Sequence, residues 1–253
     1  MPGPPNPLNW SFESGGGGWG NRELETYCSY GANNAPCQSA QPNAFLARDG
    51  YLHIVARRSA SGAYTSARII SKHLQSFQYG RIEARIRIPA GEGLWPAFWM
   101  LGENIDSVPW PGCGEADIME NIGREPAVVH GSVHGPGFIG LKLSSPYTDP
   151  GGRPISQAFH KFGMTWYPGR VEYYIDDPAT PYAVFTPADL PAGARWPFDD
   201  GRYFLLLNLA VGGQWPGPPD ASTKFPAEML VDYLKVWRLA GPEPSPPPAS
   251  SHP

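Results

Sequence analysis

The 253-residue sequence has few charged residues, few cysteines and no long hydrophobic run. Charged residues make up 17% of the chain, the net charge is −4, and no basic block occurs, so nucleic acid is not an expected partner. A run of about 18 apolar residues, the minimum for a membrane-spanning helix, is missing, so no membrane association is expected. These absences indicate a domain with a small net charge that is not expected to bind nucleic acid or membranes.

Glycine, proline and aromatic residues are abundant instead. The chain has 30 glycines and 31 prolines, together about a quarter of its residues. This content argues against a helical bundle. The aromatic residues (9 Trp, 12 Tyr and 11 Phe) lie within apolar runs, which argues against disorder. Abundant aromatic side chains on a nearly neutral scaffold suit ligands with apolar ring faces, such as sugars.

The three cysteines allow two interpretations. Cys28 and Cys37 are nine residues apart across a loop rich in Gly, Asn and Pro, which allows a local disulfide and leaves Cys113 free. Three reduced thiols are the alternative, as in a reducing compartment. The hypothesis adopted here is a disulfide between Cys28 and Cys37, with Cys113 partly shielded.

The chain is predicted to form one domain. Residues 1–7 are Pro-rich and predicted to be an N-terminal tail, residues 8–240 the domain, and residues 241–253 a Pro-rich tail or linker. The first residues lack the basic and apolar regions of a signal peptide. The protein is therefore either cytoplasmic or a secreted protein whose leader has been replaced by an initiating methionine.

Strand patterns dominate the domain. Between Tyr79 and Pro89, Ile82 and every second residue to Ile88 are apolar, while the residues between them are charged. This period of two predicts a half-buried strand. The sequence predicts an all-β fold, with a two-sheet antiparallel sandwich as the favoured form. Further strands are predicted at Tyr51–Arg58, Tyr64–Lys72, Leu94–Leu101, Glu115–Ile122, Ala127–His134, Lys161–Tyr167, Arg170–Asp176, Tyr203–Val211 and Met229–Leu239.

Three carboxylates are clustered in one of these strands. Glu115 and Asp117 are two residues apart and project from the same face, whereas Glu120 faces the opposite side of a regular strand. One β-bulge at Ile118–Met119 returns Glu120 to the face of the other two. Like charges this close raise at least one pKa, and an ionised carboxylate beside a protonated one is the equipment for glycoside cleavage.

Two alternatives apply to this acidic cluster. A solvated acidic strand is less favoured, because the flanking residues are rich in Trp and Gly and not in Lys. A calcium site is also less favoured, because side chains along a straight strand wrap poorly around an ion.

Several motifs resemble glycoside hydrolase family 16, and within it the bacterial laminarinases (endo-1,3-β-glucanases). The resemblance covers most of the domain. Its motifs are Tyr79-Gly-Arg-Ile-Glu-Ala-Arg-Ile, Gly93-Leu-Trp-Pro-Ala-Phe-Trp-Met-Leu-Gly102, Trp110-Pro-Gly-Cys-Gly-Glu-Ala-Asp-Ile-Met-Glu-Asn-Ile-Gly123, His130-Gly-Ser-Val-His-Gly-Pro-Gly137, Asn208-Leu-Ala-Val-Gly-Gly-Gln-Trp-Pro-Gly217 and Val231-Asp-Tyr.

The resemblance implies a β-jelly-roll sandwich of the concanavalin (lectin-like) type, with a concave substrate cleft. It implies that Glu115 is the nucleophile, Asp117 its assisting neighbour and Glu120 the general acid/base. The family usually has a larger aliphatic residue where Ala116 lies. Because that side chain faces away from the cleft, we expect a packing adjustment, at a cost on the order of 1 kcal/mol, and no loss of chemistry.

The resemblance also implies a set of substrate contacts. Stacking of indole rings on glucose is expected at the tryptophans, whereas Trp166 and Trp237, within alternating strands, are expected to pack in the core. The pair His130/His134 is too widely spaced along a strand for one metal ion. His134 is expected to contact the acids or the sugar, and a hydrogen-bonded core histidine is the alternative, above all for His130. The expected glucan-contacting residues are Asn21, Glu25, Arg68 (alternatively a surface arginine), Trp95, Trp99, Trp110, His134, Gln214 and Trp215.

Many proteins of the family carry a structural calcium ion on the convex side, away from the cleft. Similarity puts its ligands at Glu13, Gly50 and Asp232, mostly through backbone oxygens. No cofactor is expected for catalysis.

The expected function is that of a secreted, extracellular, monomeric, retaining endo-β-1,3-glucanase. Its partner is a laminarin-like β-1,3-glucan, with mixed-linkage β-1,3-1,4-glucan as a second candidate substrate. The alternatives are a transglycosylase on the same scaffold and a non-catalytic, lectin-like glucan-binding module. A binding module tolerates loss of Glu115 or Glu120, and both are present here.

Overall fold

The computed structural model describes residues 3–239 and places its strands in two packed sheets. The front sheet has eight strands: β1 (Ser11–Glu13), β6 (Arg68–Ile70), β7 (Ser76–Phe77), β9 (Leu94–Gly102), β10 (Glu115–Glu120), β11 (Val128–His134), β12 (Ser144–Thr148) and β16 (Tyr203–Val211). Their order is β1-β6-β16-β9-β10-β11-β12, with β7 also paired to β16.

The back sheet has nine strands: β2 (Glu25–Tyr27), β3 (Ala44–Leu46), β4 (Leu52–Arg58), β5 (Tyr64–Ser66), β8 (Gly80–Arg87), β13 (His160–Tyr167), β14 (Arg170–Ile175), β15 (Ala183–Phe185) and β17 (Ala227–Trp237). Their order is β15-β14-β13-β8-β17-β4-β5-β2, with β3 also paired to β4. Three short 3₁₀ helices lie at Gly140–Leu143, Ile155–Gln157 and Pro187–Asp189. The all-β sandwich that the sequence predicts is confirmed, and among the described strands only β2 and β5 pair in parallel.

The alternating pattern after Tyr79 forms β8. Ile82, Ala84 and Ile86 point into the space between the sheets and are fully buried. Glu83 faces outward but is buried too, because the hydroxyls of Tyr174 and Tyr233 donate hydrogen bonds to its carboxylate. The core between the sheets therefore takes one face of each strand, as a period of two requires.

One predicted strand is wrong in its extent. The segment Tyr64–Lys72 forms two strands that belong to different sheets: β5 pairs with β4 in the back sheet, and β6 pairs with β1 and β16 in the front sheet. The chain crosses between the sheets at Ala67, which is fully buried. This crossing puts Arg68 on the front sheet.

The N-terminal segment lies closer to the domain than the sequence predicts. Gly3 exchanges two backbone hydrogen bonds with Leu46, so residues 3–7 lie against the domain and do not form a detached tail. The predicted tail 241–253 lies outside the described residues.

Cys28 and Cys37 form the expected disulfide, and Cys113 is free and buried. None of the helices in residues 3–239 has the length and hydropathy to cross a membrane.

Candidate active site

The three acids of β10 lie on the outer face of the front sheet. Asp117 pairs with Trp99 of β9, and the next paired residue, Met119, lies opposite Phe98, so Ile118 is the extra residue of a β-bulge. Ala116, Ile118 and Met119 are buried in the core between the sheets. Glu120 therefore lies on the same face as Glu115 and Asp117, as the three-residue spacing predicts.

A glycine fixes the start of this strand. Gly114 has φ +82°, a left-handed conformation that side chains with a Cβ rarely adopt. A Cβ on Gly114 would also collide with the hydroxyl of Tyr203, which donates a hydrogen bond to the carbonyl of Pro197. Glycine thus allows the backbone just before Glu115 to pass close to Tyr203 of the neighbouring part of the front sheet.

Glu115 has the most partners that favour its anion. Burial and the charge of Asp117 raise its pKa to about 8, against the opposing effects of His134, Arg68 and a hydrogen bond from the Trp110 indole. His134 is its register partner on β11 and places Nε2 3.7 Å from Oε1 of Glu115. Trp110 is 45% exposed, so its indole lies at the edge of the site.

Asp117 lies between the two glutamates and is almost fully buried. Its Oδ2 is 2.9 Å from Nε2 of His134, so one imidazole faces both Asp117 and Glu115. Burial raises the pKa of Asp117 to about 8. The three acids therefore retain protons above the pH at which free carboxyls lose them.

Glu120 is the third acid of the site. Burial and the charges of Asp117 and Glu115 raise the pKa of Glu120 well above its usual value. The indole N–H of Trp95 donates to Oε1 of Glu120 at 3.0 Å and acts in the opposite direction. Glu120 thus retains its proton above the usual pH range of a carboxyl group, as a proton donor requires, while three neighbours favour the anion of Glu115.

Aromatic and cationic side chains extend the site toward β6. The guanidinium of Arg68 lies between the rings of Trp19 and Trp99, 4.9 and 4.7 Å from their centroids, and also pairs with the carboxylate of Glu13. Arg68 is mostly buried, so the alternative of a surface arginine is wrong. Trp19 was not predicted from the sequence as a site residue, although its position among the glycines of residues 15–20 could have indicated it.

A second aromatic group lies at the other end of β10. Trp215 contacts Trp95 edge to face at 5.4 Å, and the ring of His130 at 5.0 Å. His130 also places Nε2 2.9 Å from Glu125. His130 is therefore part of the outer face and not a core residue, because β11 directs it to the same side as His134.

Two further predicted substrate contacts lie at the surface, and of the two tryptophans predicted to lie in the core only one does. Asn21 and Gln214 are exposed, and the backbone N–H of Gln214 donates to the carbonyl of Asn21. Trp166 is a core residue as predicted, whereas Trp237 lies on the outer face of the back sheet, stacked with Arg81.

Glu25 does not reach a ligand in the cleft, so its prediction as a substrate contact is wrong. The residue is 1% exposed, and its carboxyl accepts a hydrogen bond from the Val211 backbone N–H at 2.6 Å. It lies behind a hydrogen-bonded group that the sequence analysis missed, formed by Glu23, Tyr27 and Asn208.

The predicted calcium ligands do not form a carboxylate cluster. The side chain of Glu13 pairs with Arg68 on the front sheet, and that of Asp232 with Arg85 on the back sheet. Within residues 3–239, the only three acid, His or Cys side chains able to share a metal ion are Glu115, Asp117 and His134. A calcium ion held by Glu13, Gly50 and Asp232 requires backbone oxygens, and this stays a prediction.

Comparison with known proteins gives a consistent result. Residues 30–233 match the model of glycosyl hydrolases family 16. A β-glucanase of Rhodothermus marinus is 37% identical over 246 residues, which cover 92% of this chain and 80% of that protein. The structure of an endo-β-1,3-glucanase from Pyrococcus furiosus is similar at 44% identity and a TM-score of 0.80, covering 92% of this chain and 89% of that one. The laminarinase catalytic domain of Thermotoga petrophila is similar at 40% identity and a TM-score of 0.83, covering 94% of both chains.

Proposed function

The chain belongs to glycosyl hydrolase family 16, and on this basis we propose that it is a retaining endo-β-1,3-glucanase acting on laminarin-like glucans. The observation that carries the mechanism is the set of three acids on one face of β10, a buried Asp117 between two half-buried glutamates, with Glu120 returned to that face by the bulge. The glycoside hydrolase class and the β-glucan substrate class follow from the family and the matched proteins.

In the first step, Glu115 attacks the anomeric carbon while Glu120 donates its proton to the departing glycosidic oxygen. The new bond joins Glu115 to the sugar, and the leaving chain departs as an alcohol. The raised pKa of Glu120 supports its role as proton donor, and the three neighbours that favour the Glu115 anion support its role as nucleophile. Because the bulge puts both glutamates on one face, we expect the carboxyl separation of about 5–5.5 Å that retaining enzymes use.

In the second step, the now ionised Glu120 accepts a proton from water as the water attacks the glycosyl ester, which frees Glu115. Asp117 and His134 lie against Glu115 throughout, and their charges set how readily its carboxylate forms. Since two displacements each invert the anomeric centre, the product keeps the β configuration.

The surrounding side chains support binding of a glucan. Trp99 and Arg68 on one side of the acids, and Trp95 and Trp215 on the other, offer ring faces and donors along the outer face of the front sheet. Mixed-linkage β-1,3-1,4-glucan is proposed as a second substrate, since it contains the same β-1,3 bonds.

Two alternative functions share this scaffold. A lectin-like module needs the aromatic residues but not three acids with raised pKa values, so this acidic cluster favours an enzyme. A transglycosylase uses the same acids and differs only in whether water or a sugar hydroxyl attacks the intermediate. An extracellular location is proposed because a polysaccharide does not enter cells, and the disulfide supports an oxidising compartment.

Reducing-sugar release from laminarin, barley β-glucan, cellulose and agarose tests the proposal. We expect rapid release from laminarin, slower release from barley β-glucan and none from the other two. Glu115→Gln is the matched control and abolishes release while it keeps the side-chain volume. Release from agarose alone, or equal release from the variant, contradicts the proposal, and longer products at high oligosaccharide concentration identify a transglycosylase.

A further inference from the structure

Two glutamates lie buried behind the proposed cleft and take no part in the mechanism above. Glu23 and Glu25 are 9% and 1% exposed, on the segment that enters β2. Unpaired buried carboxylates are costly, so this pair needs a compensating arrangement.

The hydrogen bonds of the pair require a proton. Oε2 of Glu25 accepts from the Val211 backbone N–H, while its Oε1 is buried without an N–H or O–H donor. The side chain of Glu25 also hydrogen-bonds that of Glu23, and two carboxyl groups bond to each other only when one is protonated. Burial and the contact with Glu23 raise the pKa of Glu25 to about 9, so Glu25 is the protonated member.

A one-directional hydrogen-bond chain leads from this pair to the cleft. Tyr27 donates its hydroxyl to Oε2 of Glu23 at 3.0 Å, and Asn208 donates its amide to the Tyr27 hydroxyl at 3.1 Å. The Trp99 indole N–H donates to Oδ1 of Asn208 at 2.7 Å. We call these residues, with Glu25, the Glu25–Trp99 chain.

The direction of the bonds makes the chain a positioning device. Because an indole N–H only donates, Asn208 must present its oxygen to Trp99 and its amide to Tyr27. The Tyr27 hydroxyl then donates toward Glu23, so a carboxylate at that end fixes every group before it. Trp99 is in turn the register partner of Asp117 and stacks on Arg68.

We propose that the neutral carboxyl of Glu25 is a positioning element of the glucan cleft, acting on the Trp99 indole through the Glu25–Trp99 chain. This rests on the proposed function, since the affected quantity is glucan binding. When Glu25 ionises, two buried carboxylates repel each other, the chain loosens, and Trp99 loses its fixed orientation. Tyr27 is the titratable side chain in contact with the pair, and Arg68, which acts electrostatically on Tyr27, is already paired with Glu13.

The test is the pH dependence of KM and kcat for laminarin between pH 6 and 10, in the wild type and in Glu25→Gln. Gln keeps a donor toward Glu23 and an acceptor for Val211 but does not ionise. We expect the wild-type KM to rise about fivefold through pH 9, the cost of one lost hydrogen bond, and the Glu25→Gln KM to stay flat. Any decline in kcat that remains in Glu25→Gln belongs to Glu120.

Glu23→Gln is the matched control of equal volume. Glu23 accepts from Asn21, Tyr27 and Glu25, so an amide at this position sets a donor against donors, and KM rises at every pH. A structural role alone predicts parallel KM profiles in wild type and Glu25→Gln, and that result overturns the proposal. The comparison of the wild type with Glu25→Gln tests the proposal even if Glu23→Gln does not fold.

A substrate-free measurement separates this proposal from the proposed function. The difference in tryptophan emission between the wild type and Trp99→Phe isolates the signal of Trp99. We expect this difference to titrate near pH 9, and to become independent of pH when both proteins carry Glu25→Gln. If laminarin is not hydrolysed but the emission titrates, the proposed function fails and the positioning of Trp99 stands. A pH-independent emission in the wild type overturns the positioning.

Discussion

The indole N–H of Trp95 donates a hydrogen bond to Oε1 of Glu120, 3.0 Å away. Trp95 is predicted from the sequence to stack on a sugar, and its indole N–H also contacts the proposed proton donor directly. A bond from N–H to a carboxyl oxygen stabilises the anion, so Trp95 lowers the pKa of Glu120 against the effect of burial. This contact links the aromatic lining of the site to its acid–base chemistry.

Trp95→Phe is therefore expected to alter the pH profile. Without the indole donor the pKa of Glu120 rises further, and the alkaline limb of kcat/KM moves up by about one pH unit. Trp215→Phe is the matched control, because Trp215 packs on Trp95, whereas the indole that donates to Glu120 is that of Trp95. The measurement is kcat/KM for laminarin against pH, and an alkaline limb that moves down, or moves equally in both variants, contradicts the assignment.

Asp117→Asn is expected to move the opposite limb. The negative charge of Asp117 raises the pKa of Glu115, so its removal makes Glu115 ionise more readily. The acid limb of kcat/KM moves down by about one to three pH units, while kcat falls because His134 loses the carboxyl group that lies 2.9 Å from its Nε2. An acid limb that stays in place assigns it to a group other than Glu115.

Glu25 also affects the stability of the fold. Its pKa is raised from 4.5 to about 9 in the native state, so the folded protein binds the proton more tightly than the unfolded chain. The free energy of unfolding therefore falls as the pH rises from about 4.5 to about 9. Glu25→Gln removes this titration and should melt higher than wild type at pH 8–9, with the difference shrinking toward pH 5. The exposed Glu228→Gln is the control in calorimetry, and a difference that grows toward acid pH refutes the sign.

Calcium binding through the backbone oxygens of Glu13, Gly50 and Asp232 predicts a stability effect without a catalytic one. Chelator should lower the melting temperature, added calcium should restore it, and initial rates on laminarin at mild temperature should stay the same. Chelator already saturated with calcium is the control. Identical melting curves with and without chelator contradict the prediction.

Sequence reasoning reached the acids because their positions obey local rules. Period two puts Glu115 and Asp117 on one face, and the three-residue step to Glu120 requires the bulge that the structure contains. The same holds for β8, where alternation alone separates the buried from the outward-facing side chains. Local spacing was sufficient wherever the answer depended on one strand.

Contacts between residues far apart in the sequence determine the positions that could not be predicted from it. Glu25 is polar and lies in a motif with expected sugar contacts, but its carboxyl binds a backbone N–H of Val211, 186 residues away. The crossing at Ala67 is equally invisible, because the residues on both sides of it suit a strand. Such burial and sheet exchange depend on partners that no local pattern contains.

The most direct test of the account is proton NMR of the products during early hydrolysis of laminarin. If Glu115 forms a covalent glycosyl-enzyme that water opens with help from Glu120, the β-anomer appears first, and the α-anomer accumulates later by mutarotation. Appearance of the α-anomer first means a single displacement by water and contradicts the roles assigned to both glutamates.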